Sequence, residues 1–314
     1  MKKISIITPF YNENQNLKDC CNLVKSFLEE NLKNYDYEHI LVDNHSNDGS
    51  TEIAEDLCLK DKKIKLIQNS QNYGIMPSLF NALKYCKSDL TLVFFPADMQ
   101  DQIDFLKPAI KKIEDGYDIV YAIRKYREEN FLYKIIKKTY YFLAKLLTNN
   151  VLKTNVNVFQ LITDDVRKEI TSVESNNPFI PYLIQSTSFK KIGIETKWVS
   201  RKKNQAKNNF FSLLDESINA LCNYSGLASK ISFFLSIGTF LFSIIFLIIN
   251  LSGYLLNFSK IDILPGIPSI IIFNSLMFAI LFLILGFISE NVNHLLQNKI
   301  GKKVNVKNFI NFDD

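Results

Sequence analysis

Three short polar clusters carry most of the chemistry open to this chain: residues 12–14, 43–48 and 98–101. The third is the most suggestive. Asp98, Gln100 and Asp101 offer carboxylate and amide oxygens within one turn of chain, a donor set that suits a hard divalent cation such as Mg²⁺ or Mn²⁺. Such a cation can bridge the oxygens of a diphosphate and act on them as a Lewis acid. Other chemistries are poorly served. Only three histidines occur (His39, His45 and His294), which argues against a histidine metal site or a catalytic triad. The five cysteines (Cys20, Cys21, Cys58, Cys86 and Cys222) lack metal-ligand spacing and read as reduced thiols facing the cytosol. A net charge of +5, from 37 basic and 32 acidic residues, is too mild to point to nucleic acid as a partner.

The elements that must position these clusters follow from hydrophobic periodicity. Residues 4–8, 39–43, 64–67, 90–95 and 119–121 read as strands. Helices alternate with them, over 17–28, 53–57, 75–85 and 103–110, with Asn12 and Asn14 as caps for the first. This rhythm predicts an α/β domain whose mostly parallel sheet is covered on both faces. Ligands of such sheets bind beyond the carboxyl ends of the strands, and all three clusters fall at that edge. One cluster would be a cap or a turn. Three at one edge mark a site.

Past residue 130 the pattern changes. Leu132, Ile135, Ile136, Tyr140, Leu143 and Leu147 have amphipathic spacing, which fits either core packing or a helix at a lipid surface. No residue between Lys230 and Lys260 is charged, nor any between Asp262 and Glu290. Each stretch exceeds the roughly 20 residues that cross a bilayer core, so two transmembrane helices are expected, at about 231–253 and 267–289. Basic residues precede the first (Arg201 to Lys207) and follow the second (Lys299, Lys302, Lys303 and Lys307). That bias places both termini in the cytosol. The run after Met1-Lys2-Lys3 stops at Pro9, too short for a signal-peptide core. The expected plan is a cytosolic domain over 1–229, with amphipathic segments at about 130–150 and 207–229. A membrane hairpin over 230–290 and a basic cytosolic tail over 291–314 complete an integral inner-membrane protein. Packing of such hairpins is one route to a homo-oligomer.

Taken in order, residues 6–13 (IITPFYNE), 41–51 (LVDNHSNDGST) and 96–101 (PADMQD) resemble the family-2 glycosyltransferases of GT-A fold, a Rossmann-like α/β architecture. Within that family the likeness is to the polyprenyl-phosphate sugar transferases, whose layout of a GT-A domain and a C-terminal pair of membrane helices covers essentially the whole chain. The resemblance implies a nucleotide-sugar donor, with a UDP-sugar as the default, and a polyprenyl-phosphate or other lipid-linked acceptor. It places Asp43 at the base or ribose, with Pro9, Tyr11 and Glu13 in the first nucleotide-binding loop. Asp98 matches the second Asp of the family's D-x-D metal motif, and Gln100 matches a following glutamine that can also ligate Mg²⁺ or Mn²⁺. Arg124 and Arg127 match basic positions that hold phosphate groups. Arg201 and Lys207 match the R-x-x-G-x-S-K segment, expected to bind acceptor or donor phosphate.

The chain also departs from that pattern. Pro96 stands at the first Asp of D-x-D, and Asn155 and Gln160 stand at the Asp and Arg of the family's D-x-G-D-F-R-L segment. Loss of a carboxylate weakens metal binding, and loss of an arginine weakens a phosphate contact. With a phosphate acceptor, attack needs positioning more than a base. A sugar hydroxyl on a lipid-linked glycan would instead call on a carboxylate, for which Asp101 is the nearest candidate. A catalytically weakened nucleotide-sugar-binding scaffold is the reading from a different class.

Overall fold

The computed structural model describes residues 1–125, 156–173, 178–197, 267–297 and 303–312, together with short stretches between 234 and 252. The chain divides into two compact units, Met1–Leu213 with Ile300–Asp314, and Leu214–Lys299. In the first unit β1 (Lys2–Phe10), α1 (Leu17–Asn31), β2 (Tyr35–Asp43), α2 (Ser50–Lys60), β3 (Ile64–Asn69) and α3 (Ile75–Leu83) alternate as the periodicity predicts. They are followed by β4 (Leu90–Leu92), a 3-10 turn (Ile103–Phe105), α4 (Leu106–Glu114) and β5 (Ile119–Lys125). Then come β6 (Val156–Thr163), α5 (Asp164–Ser172), α6 (Ile180–Ser186) and β7 (Lys191–Lys197). The second unit contributes α7 (Ile267–Gln297), after which β8 (Val306–Ile310) returns to the sheet of the first.

The eight strands lie in the order β7-β5-β6-β4-β1-β2-β3-β8. β4, β1, β2 and β3 are mutually parallel, β6 and β8 run antiparallel to their neighbours, and β5 pairs parallel with β7. Alternation of side chains along each strand builds two cores. Ile4 and Ile6 of β1 pack with Val24 and Phe27 of α1 and with Leu106 and Ile110 of α4. Ile7 of β1 faces the other way, onto Leu79 and Leu83 of α3 and Val166 and Ile170 of α5. α1 can take its place because Leu17, Cys20, Cys21, Val24, Phe27 and Leu28 form one buried stripe at helical spacing. The four described cysteines are free, buried thiols.

Three departures from the sequence reading have physical causes. β4 ends at Leu92, yet the chain stays beside β1, since the Phe95 N–H donates to the Ile7 carbonyl at 2.8 Å. Asn12 and Asn14 do not cap α1: the cap position is Asn16, without a side-chain cap bond, and the two asparagines bond to the loop after β2 instead. Residues 306–310, expected as part of a basic tail, form β8 on the open edge of β3.

Below the far edge of the sheet, Glu38 of β2 is buried and gathers four partners. Its carboxylate accepts from Lys3 Nζ at 2.8 Å, Ser5 Oγ at 2.5 Å, Lys65 Nζ at 3.0 Å and the Lys87 N–H at 3.1 Å. β1, β2, β3 and the approach to β4 are thereby joined at one carboxylate. At the opposite side of the sheet, Gly193 of β7 sits against β5. A Cβ there would lie 2.6 Å from both Ile123 Cδ1 and Tyr121 Cε2. Gly193→Ala is therefore expected to cost about 1–3 kcal/mol, read as a lower thermal midpoint of the full chain.

In the second unit α7 runs 31 residues, a length of roughly 46 Å. Its large apolar side chains, among them Phe273, Phe278, Leu281 and Ile284, are exposed. Among the described residues no helix is long and apolar enough to cross a membrane; the side chains of α7 are described without a break only over 273–289. The amphipathic segment 130–150 and the segment 207–229 lie outside the described residues.

Candidate active site

Each of the three polar clusters follows a parallel strand, and those strands are neighbours in the order β4-β1-β2. Register sets their ends level. Phe10 faces Asp43 across β1 and β2, and the Asn44 N–H donates to the Phe10 carbonyl at 2.9 Å. With adjacent strands about 4.8 Å apart, the loops after β4 and β2 emerge roughly 10 Å from one another, flanking the loop after β1.

The loops after β1 and β2 are laced together. The Asn12 N–H donates to Ser46 Oγ at 3.0 Å and the Glu13 N–H to Ser50 Oγ at 2.9 Å. Asn12 Oδ1 accepts the Asn47 N–H at 2.9 Å, and Asn14 Nδ2 donates to the Asp48 carbonyl at 2.9 Å. Burial would raise the Asp48 carboxyl, but donors from Ser50 and Asn14 outweigh it and hold the group below the ordinary aspartate range. Strain concentrates here as well. Four described non-glycine residues have left-handed backbone, and three of them, Asn12 (φ 56°), His45 (φ 69°) and Met99 (φ 57°), sit one in each loop. A left-handed Met is costly, and such outliers cluster where a binding or reaction site over-determines the chain.

The individual residues sit as follows. Asp43 is fully buried, its Oδ1 accepting the Ser46 N–H at 2.9 Å and its Oδ2 the Thr51 hydroxyl at 2.7 Å, so it braces the loop that follows it. Pro9 lies inside β1 opposite Val42, while Tyr11 stands exposed at the loop's mouth. The Glu13 carboxylate accepts Asn16 Nδ2 at 2.7 Å, and its carbonyl starts α1 by accepting the Asn16 and Leu17 N–H groups, each at 3.0 Å. Asp98 is half-buried, with Oδ1 accepting the Gln100 N–H at 3.3 Å, inside a turn closed by the Met99 N–H and the Pro96 carbonyl at 3.0 Å. Asp101 is only 2 % exposed. The Cys20 thiol lies beneath, hydrogen-bonded to Thr8. Burial first, then Cys21, Asp98 and Glu13, push it well above its ordinary value, which keeps it protonated and unsuited to metal.

One departure named from the sequence is buried, and one hub escaped sequence reasoning. Gln160, at the family's arginine position, is buried in β6, where its main-chain carbonyl accepts the Val93 N–H at 2.9 Å. Asn44 is a buried hub: its Oδ1 accepts the Tyr73 N–H at 2.9 Å and Ser78 Oγ at 3.2 Å, and its Nδ2 donates to Asn72 Oδ1 at 2.8 Å. The density of Asn and Ser after β2 was the only signal for it. The backbone of Arg124 lies opposite Thr196 near the carboxyl end of β5, on the same edge of the sheet as the three loops. Arg127, Asn155, Arg201 and Lys207 lie outside the described residues.

A divalent cation fits the oxygen donors after β4. Among the described residues no group of three or more His, Cys, Asp or Glu converges. The oxygens of Asp98 and Gln100 are of the kind that would suit Mg²⁺ or Mn²⁺.

The family model of glycosyl transferase family 2 matches residues 5–171. The uncharacterized glycosyltransferase YkcC of Bacillus subtilis is 28% identical over 296 residues, which is 93% of this chain and 88% of that relative. The bactoprenol glucosyl transferase of Shigella phage SfV is 25% identical over 246 residues, 78% of each chain. In fold, the chain is similar to glucosyl-3-phosphoglycerate synthase from Mycobacterium tuberculosis, solved with Mn²⁺, uridine diphosphate and phosphoglyceric acid. The TM-score there is 0.52 at 13% identity, covering 72% of this chain and 79% of that one. Sheet order and this likeness define an α/β domain of GT-A-like fold. The chain belongs to glycosyl transferase family 2.

Proposed function

We propose that this glycosyltransferase moves a sugar from a UDP-sugar to a polyprenyl phosphate at the cytosolic face of the inner membrane, inverting the anomeric centre. The observation that carries this reading is the likeness to a bactoprenol glucosyl transferase over 78% of both chains. The exposed apolar side chains of α7 agree with it, since they suit a lipid surround and an anchor built from about 231–253 and 267–289.

In this reading Pro9, Tyr11, Glu13 and Asp43 shape the pocket for base and ribose, and Asp98 with Gln100 faces the diphosphate. When bound there, Mg²⁺ or Mn²⁺ supplies positive charge against the charge that develops on the leaving diphosphate. Arg124, Arg127, Arg201 and Lys207 hold phosphate groups of donor and acceptor. An acceptor phosphate oxygen forms its bond to the anomeric carbon from the face opposite the diphosphate, whose bond to that carbon breaks. The acceptor is already anionic at neutral pH, so no carboxylate has to remove a proton. The burial of Asp101 agrees with that economy, because a general base for a hydroxyl acceptor must reach it.

The test is a transfer assay on the full chain in lipid nanodiscs, with a panel of nucleotide sugars, undecaprenyl phosphate and Mn²⁺ or Mg²⁺. Formation of a sugar-phosphate lipid is the expected outcome. Product only with a glycan-bearing lipid would replace the acceptor, and donor binding without any turnover would turn the enzyme into a scaffold.

A further inference from the structure

We propose that β8, the strand that follows the second unit in the chain, is a positioning element for the donor site, acting through Asn305 and Tyr73. The proposal rests on the nucleotide-sugar reading of the three-loop edge. β8 lies at the outer edge of the sheet, antiparallel to β3, with Val306 opposite Asn69. Just before it, the Asn305 carbonyl accepts the Ser70 N–H at 3.0 Å, and the Asn305 N–H donates to the Tyr73 hydroxyl at 3.2 Å. Ser70 Oγ is 3.0 Å from the same hydroxyl. The loop after β3 is therefore held from outside by a residue 232 positions away.

That loop in turn holds the donor edge. The Tyr73 N–H donates to Asn44 Oδ1 at 2.9 Å, and Asn72 Oδ1 accepts both Asn44 Nδ2 at 2.8 Å and the Gly74 N–H at 3.0 Å. Asn44 directly follows Asp43, so a continuous set of hydrogen bonds runs from Asn305 through Tyr73 to the loop that Asp43 braces. Gly74, with φ of +85°, lets the chain turn sharply there without a Cβ penalty. The far end of β8 is anchored independently. Asn311 Nδ2 donates to the Cys58 and Ile64 carbonyls, each at 2.8 Å, and Phe309 and Phe312 pack on Tyr85. The Ser70 bond continues the pairing of β3 with β8, whereas a strand that only covered the β3 edge would not need the bond to Tyr73. The consequence is that donor affinity depends on the bond between Tyr73 and Asn305, a residue that the chain reaches only after residues 214–299, and not on the anchoring of the far end of β8.

The experiment uses the full chain in nanodiscs, with UDP and Mn²⁺ as the probe, and reads the dissociation constant and the thermal midpoint together. Tyr73→Phe removes the hydroxyl, and Asn305→Pro removes the N–H that it accepts. Each is expected to weaken UDP binding about 3- to 10-fold. The double variant is expected to be no weaker than the worse single, because Tyr73→Phe, which also loses the Ser70 contact, already removes the bond that Asn305→Pro removes. Asn311→Ala, at the anchored end, is expected to lower the midpoint and leave UDP affinity within about 1.5-fold of the parent. The proposal is overturned if Tyr73→Phe and Asn305→Pro leave affinity unchanged, if their effects add, or if affinity falls in step with the midpoint in Asn311→Ala. A parent protein that binds no UDP would overturn the donor-site reading, and this proposal with it, whatever the variants do.

Discussion

Asp98→Ala is expected to lower sugar transfer by on the order of 10²–10³-fold, the range for losing a group that stabilises developing charge in a transition state. The effect should be this large because so little stands in reserve. Pro96 occupies the position at which a second carboxylate would help, and among the described residues no group of three or more His, Cys, Asp or Glu converges. Asp98 is held in place by the tight turn from Pro96 to Gln100, in which Met99 accepts a left-handed backbone. Asp98→Asn keeps the shape and removes the charge, so it should fail nearly as badly. Residual activity in either variant should no longer depend on Mn²⁺ concentration. Full, Mn²⁺-dependent activity in Asp98→Ala would remove this residue from the metal role.

Glu38→Ala is expected to destabilise the first unit by about 3–5 kcal/mol, because it leaves the buried Lys65 ammonium without its carboxylate. For a unit of this size that lowers the thermal midpoint by roughly 6–20 °C. The same carboxylate makes stability depend on acid. Burial alone would raise the Glu38 carboxyl, but hydrogen bonds from Lys3, Ser5, Lys65 and Lys87 hold it below the ordinary glutamate value. Its contribution is therefore present above the unfolded value of about 4.5 and is lost as pH falls through and below it. His39 acts in a higher window. Burial depresses its imidazole from 6.5 to about 3, and its Nε2 lies 2.9 Å from the Thr8 hydroxyl. Between those values the unfolded chain takes up a proton that the native chain refuses. Stability should fall by up to about 1.4 kcal/mol per pH unit as pH drops from 6.5 towards 3. Melting curves between pH 7.5 and about 5 separate the two groups: His39→Gln should flatten the slope in that range, whereas the parent's slope persisting in His39→Gln would assign it elsewhere.

β1 to β5 were legible in the sequence because each is a short apolar run between polar breaks, as strands covered on both faces must be. β8 was not. It lies at an edge, three of its five residues are exposed, and Lys307 and Asn308 make it look like tail. The same limit governs the site. Asp43 and Asp98 stood out because their clusters, with that of residues 12–14, all fall after strands at one edge of the sheet. Asn44 did not, since its partners Asn69, Asn72, Tyr73 and Ser78 lie on other elements and only the fold brings them together. Asn12 and Asn14 misled for the opposite reason. Local spacing made them caps, while the loop after β2 offered them better partners across the sheet edge.

The most direct measurement is the mass of the lipid product formed when the full chain in nanodiscs is given a labelled UDP-sugar, undecaprenyl phosphate and Mn²⁺. A lipid phosphate carrying one sugar, with UDP released in equal amount and transfer lost in Asp98→Ala, is the result expected. Release of UDP with no sugar on the lipid phosphate, under conditions in which a glycan-bearing lipid does acquire it, would contradict transfer to a polyprenyl phosphate.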